Sequence, residues 1–153
     1  MFDEILGLPA HPLIIHAAVV LTPLLVVLAA VHALVPRTRA VLHWAVAALA
    51  VIVPIAVFAA KESGEALKEN RFSSADGQFG ARIAEHEGFA TPLLLAALAL
   101  GVVSLVLVYV SRGDRSGRTV RAAVSALTVV LAVVTGYYVL RAGHTGAVAV
   151  WAN

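Results

Sequence analysis

The sequence predicts an all-α integral membrane protein, a four-helix up-down bundle, and three observations carry that prediction. First, 61% of the 153 residues are hydrophobic and the mean hydropathy is +0.93, whereas a soluble domain is roughly 45–50% apolar. Second, four apolar segments are each long enough to cross a bilayer core as helix, which takes about 20 residues: Pro12–Val35, Val41–Ala60, Phe89–Val110 and Ala122–Leu140. Third, the charges cluster between those segments and are sorted by side. The two short connections carry Arg37, Arg39, Arg112, Arg115, Arg118 and Arg121 against Asp114, a net of +5. The termini and the loop Lys61–Gly88 carry five basic residues (Lys61, Lys68, Arg71, Arg82, Arg141) against eight acidic ones, a net of −3. The positive-inside rule then places both termini and the long loop on the external face of a bacterial inner membrane.

Each element follows from local chemistry. The chain reads as a single transmembrane domain over 1–153. The start, Met1–Pro12, carries Asp3 and Glu4 where a signal peptide would be basic, so it reads as a retained leader into the first span. Pro12 suits a first helical turn. Pro23, Pro54 and Pro92 lie inside spans, where they are expected to kink the helices and neighbouring helices to satisfy the freed carbonyls. The spans are rich in Val and Ile, yet the runs lack the alternation of a membrane barrel. Glu62–Asn70 can extend the second helix beyond the membrane, and Phe79–Glu87 can lead into the third. Trp44 and Tyr109 fall at one interface, and Tyr137, Tyr138 and Trp151 at the other. Helix contacts through Ala, Gly, Ser and Thr are expected.

The two hairpins resemble each other. His16 is followed by a Thr-Pro-Leu-Leu run, as is His86, and the second helices align AVAALAVIV with AVSALTVVL. A parallel repeat would be related by a pseudo-two-fold along the membrane normal. On this alignment His16 pairs with His86 and Glu65 with His144.

Function classes narrow quickly. There is no cysteine, so disulfides, thiolate-ligated metals, iron–sulfur clusters and c-type haem attachment within this chain are excluded. The basic residues do not form a soluble stripe, so no nucleic acid partner is expected. No phosphate loop or nucleophile constellation stands out. Histidine is costly inside a bilayer, and His11, His16, His86 and His144 all fall at the external level, His144 between Gly143 and Gly146 where a tight turn is expected. His11 and His16 differ by about 140° around a helix, so they cannot share one target. A haem takes two imidazoles on opposite faces. His16 and His86, on diagonal helices, are the expected pair, with His144 and His11 as further cofactor-binding candidates and Arg82 and Arg141 as partners for the propionates. The alternative is a divalent transition metal held by His16, His86, His144 and Glu65. His32 and His43, at the other face near Arg37 and Arg39, read as interfacial. Haem b implies an electron carrier rather than a stand-alone enzyme, with a quinone or external redox protein as partner. A homodimer and a structural accessory subunit of a larger complex are the other readings.

Four motifs in order carry a family resemblance: His11-Pro12-Leu-Ile-Ile-His16, Gly64-Glu65-Ala66, His86 before the third span, and Gly143-His144-Thr145-Gly146. Together they resemble a bacterial four-helix membrane family catalogued as a domain of unknown function. Here Ala17-Ala18 stand where members often have Phe-Pro, and Gly146-Ala147 where they often have Gly-Gly. Related domains are joined to c-type cytochrome or Rieske-type modules, so the resemblance implies a redox setting and a b-type cytochrome-like protein.

Overall fold

A computed structural model describes residues 4–5, 7–112 and 117–151. The acidic Asp3 of the leader and Asp114 and Arg115 of the third connection lie outside the described residues. A two-residue antiparallel ladder pairs β1 (Glu4–Ile5) with β2 (Leu8–Pro9) across a turn at Gly7, whose φ of 80° suits glycine. Helix α1 (Ala10–Leu34) follows, then a 3₁₀ turn at Pro36–Thr38, α2 (Arg39–Arg71), α3 (Gly77–Gly88), α4 (Ala90–Val110) and α5 (Arg118–Trp151). The architecture is an all-α four-helix bundle in which α1, α2, α4 and α5 are long and apolar enough to cross a membrane. Each of α1 and α4 packs against both α2 and α5, so α1 and α4 sit on one diagonal and α2 and α5 on the other.

Helices α2 and α5 run well past the expected span ends at Ala60 and Leu140. The extension of α2, KESGEALKENR, is built from good helix formers and stapled by the Lys61–Glu65 pair at i,i+4, 2.6 Å. The expected turn at Gly143–Gly146 does not occur: α5 continues through both glycines, and neither has a positive φ. Pro92 also differs from expectation. It does not kink a span but sits in the first turn of α4, just after the break between α3 and α4 at Phe89. Proline there cannot donate back to the Gly88 carbonyl, which favours the break at that point. Pro23 and Pro54 do lie inside α1 and α2.

The core is a stack of layers with internal two-fold character. From Ala18 onward, adding 75 to a buried position on α1 lands on a buried position of α4, and adding 82 to most buried positions on α2 lands on a buried position of α5, Leu49 and Pro54 being the exceptions. Thus Ala18 matches Leu93 and Val57 matches Val139. The next layers hold Thr22 and Ala97 with Val53 and Thr135, then Leu25 and Leu100 with Ala50 and Ala132, then Ala29 and Ser104 with Val46 and Thr128. The last layer matches His32 with Leu107. The Thr-Pro alignment of the sequence is therefore six residues out of register in the first helix of each hairpin. Short apolar motifs match by chance, whereas burial is a property of one helix face.

Close approach is achieved by exchanging large and small residues between the halves. Gly101 lies against α2, where a Cβ would sit 2.5 Å from the Ala50 carbonyl oxygen and 3.4 Å from the Pro54 ring. In the other half Val26 takes the place of Gly101 and Gly136 the place of Pro54, and a Cβ on Gly136 would lie 3.6 Å from Val26. The outward faces of the four spanning segments are apolar: Val20, Val27, Ile55, Val102, Val133 and Leu140 are all exposed. An apolar surface of that extent needs lipid as its solvent.

Candidate functional site

One end of the bundle encloses a cavity of about 540 Å³, within the range that holds a cofactor-sized ligand. Its walls repeat the internal symmetry. His11 and His86 face it, as do Ile15 with Ala90, Ala18 with Leu93, Ala60 with Ala142, Gly64 with Gly146 and Leu67 with Ala149. Val57 and Val139 line its floor. Phe72 and Phe79, packed edge to face with centroids 5.5 Å apart, lie on its far side with Ile83.

The two histidines are held alike. His11 Nδ1 lies 3.0 Å from the Ala60 carbonyl oxygen and 3.1 Å from Ser63 Oγ on α2. His86 Nδ1 lies 3.2 Å from Thr145 Oγ1 on α5, with the Ala142 carbonyl as a further partner. Ser63 donates its proton to the Ala60 carbonyl, and Thr145 donates to the Arg141 and Ala142 carbonyls. Each hydroxyl thus accepts from the imidazole, which places the ring proton on Nδ1 and leaves the lone pair on Nε2. That is the tautomer a metal-ligating histidine needs, oriented by the kind of partner that fixes such ligands. The glycines are shaped to the rings. A Cβ on Gly64 would meet His11 Cε1 at 3.1 Å, and one on Gly146 would meet His86 Cε1 at 3.0 Å. The halves are near enough for the charge states of His11 and His86 to interact.

The other residues singled out from the sequence are placed differently. His16 is exposed and folds back on the Pro12 carbonyl of its own helix, and His144 is exposed on α5; neither lines the cavity. The alignment of His16 with His86 is replaced by His11 with His86, and that of Glu65 with His144 by Glu65 with the next residue after Gly146, Ala147. Glu65 does line the cavity, where it pairs with Lys61. Among the described residues, no three His, Asp or Glu side chains converge as a metal-binding group. Arg141 stacks over Phe89 at 5.2 Å and lies 3.6 Å from Glu85, and neither it nor Arg82 lines the cavity. The cations that do are Lys61 and Lys68, the latter paired with Glu87 across to α3. The sequence analysis counted both lysines only toward the charge of the external face, because which face of the extended helix turns inward is set by packing.

At the opposite, arginine-rich end, His32 is fully buried rather than interfacial. Its Nε2 lies 2.9 Å from His43 Nδ1, while its Nδ1 has no partner among the described residues. Arg39 reaches past it to the His32 and Ala33 carbonyls, at 3.0 Å each, which caps the C-terminus of α1. Thr22, Ser104 and Thr135 are also fully buried, with hydroxyls that have no partner among the described residues. Each such group costs about 1–3 kcal/mol.

Fold and site together define a membrane-spanning helical bundle with two symmetry-related imidazoles on one cavity. In comparisons with known proteins, no family model, curated protein or solved structure matches the chain.

Proposed function

We propose that the protein is a b-type cytochrome-like electron carrier that holds one haem between His11 and His86. The observation that carries this reading is the matched setting of the two rings: Nδ1–H given to a hydroxyl and carbonyl of the same hairpin, Nε2 left for a ligand, and a glycine against each ring. A cofactor on the pseudo-two-fold axis meets the same donor from both sides, as bis-imidazole haem ligation requires. The pair therefore differs from the His16–His86 pair expected from the sequence. The apolar walls and the Gly64 and Gly146 cradle suit a flat macrocycle. Lys61 and Lys68, present in one half where Gly143 and Val150 stand in the other, would meet its propionates and set which way it faces. When bound, such a haem supplies one-electron redox chemistry, while Ala18, Leu93, Val57 and Val139 shield it from the membrane interior.

The charge sorting supports a cavity that opens to the external face of a bacterial inner membrane, with both termini on that side. A quinone or an external redox protein would then exchange electrons there. The test is an absorption spectrum of the detergent-purified protein from haem-supplied cells, oxidised and then dithionite-reduced. A shifting Soret band with sharp α and β bands is expected. His11→Ala and His86→Ala are expected to abolish it, and His16→Ala and His144→Ala to preserve it. A featureless visible spectrum with a metal found by elemental analysis would overturn the haem assignment in favour of a bound ion. A C-terminal reporter that reads as cytoplasmic would overturn the orientation.

A further inference from the structure

The internal repeat shows which polar groups the fold does not need. His32 has Leu107 as its mate, Thr22 has Ala97, Thr135 has Val53, and Ser104 has Ala29. Each apolar mate packs as well as its polar counterpart. All four polar members are nevertheless fully buried, and each has an atom without a partner among the described residues. Buried polar groups left without protein partners are the places where internal water binds.

These groups are ordered along the bundle. His43 is partly exposed at the arginine end and contacts His32 through a 2.9 Å hydrogen bond. Ser104 and Thr128 lie in the next layer. Thr22 and Thr135 lie in the layer directly beneath the cavity floor formed by Ala18, Leu93, Val57 and Val139. From Thr128 to Thr135 the helix rises roughly 10 Å, past the single apolar layer of Leu25, Leu100, Ala50 and Ala132.

We propose that this seam carries protons between the arginine end and the cavity, with His43 and His32 as its proton-accepting mouth. In the tautomer with protons on Nδ1 of both rings, a proton taken up at His43 Nε2 releases the Nδ1 proton to His32 Nε2. His32 then gives up its own Nδ1 proton to water held beside Ser104. One proton enters and one leaves, and both rings end protonated on Nε2; the starting state returns when the 2.9 Å contact opens and each ring exchanges its Nε2 proton for one on Nδ1 with the water on its own side, which moves no net proton. Water held by Thr22 and Thr135 continues the path to the cavity, and the Leu25–Leu100 layer is its narrowest barrier, crossed by a transient water file. Arg39, Arg112 and Arg121 are the charged groups around the dyad. Arg39 is committed to backbone carbonyls and sits outside the relay. The inference stands apart from the haem reading, because the same seam reaches the cavity whatever the cavity holds.

The test is proton uptake by liposomes reconstituted with the purified protein, with a pH-sensitive dye inside and a potassium diffusion potential as driving force. Wild-type vesicles are expected to acidify faster than protein-free vesicles. His32→Leu and Thr135→Val, which install the residues of the other half, are expected to slow the protein-dependent rate by about tenfold. Circular dichroism and a monodisperse elution profile show that each variant is folded. If His32→Leu does not fold, Thr135→Val and Ser104→Ala carry the test. A wild-type rate equal to that of protein-free vesicles would overturn the proposal, as would folded variants that conduct as fast as wild type.

Discussion

At the cavity end, the first hairpin sets His11 on Ser63 and Gly64, and the second sets His86 on Thr145 and Gly146. At the arginine end the hairpins part: His32 and His43 in the first correspond to Leu107 and Ser125 in the second. The layers between are equivalent in burial but not in polarity. Packing alone asks only for matched volume on a buried face, so it accounts for the shared burial. It does not ask for two imidazoles with the same tautomer and the same glycine beside them. Agreement at one end is what the proposed shared ligand would require, and divergence at the other is what the proposed proton path, carried by one half alone, would require.

That contrast can be broken experimentally. The largest effect is expected from His11→Ala or His86→Ala, each of which should remove the cofactor spectrum while the protein still inserts. Retention in one of the two variants would show that the halves are not equivalent. The glycines at the helix contacts come next. Gly101→Ala places a Cβ 2.5 Å from a backbone oxygen, which no rotamer relieves, and should destabilise the bundle by about 1–3 kcal/mol. Gly136→Ala, with its nearest contact at 3.6 Å, should be close to neutral. Detergent-denaturation midpoints of the two variants compare them directly, and equal midpoints would contradict the exchange of large and small residues between halves. Removing the hydroxyl behind each ring is a smaller change. Ser63→Ala and Thr145→Val should each weaken cofactor retention by about 10–100-fold, to a similar degree, as losing the partner that orients a metal-ligating histidine does. Competition of each variant with an apo haem acceptor measures this, and an effect confined to one hairpin would break the equivalence. The smallest expected effect is that of Lys68→Met. The Lys68–Glu87 pair is substantially exposed, so its loss should cost less than about 1 kcal/mol of stability. A clear change in cofactor retention with stability unchanged would instead identify Lys68 as a cofactor contact.

Much of the fold was legible because the bilayer imposes a simple rule. About 20 apolar residues, flanked by charges, form a spanning helix, and four such runs with short connections make an up-down bundle. The convergence of histidines at one end was legible for the same reason, since span direction sets depth. Which histidines meet was not. His16 and His86 share a downstream Thr-Pro motif, but Pro92 lies in the first turn of α4 whereas Pro23 lies more than three turns inside α1. The motif therefore aligns residues at different depths. His32 was misread as interfacial for a related reason: its nearness to Arg37 and Arg39 in sequence suggests water, while its helix face points to the core.

The sequence by itself determined the membrane setting, the number of spans, the sorting of charge and the end at which the histidines gather. All of these follow from hydropathy and order along the chain. The tertiary structure decided the register of the repeat, the choice of His11 over His16, the tautomer of both cavity histidines and the burial of the His32–His43 pair. These depend on which face of each helix turns inward and on which backbone carbonyl a neighbouring helix presents, and both are set only when the helices pack.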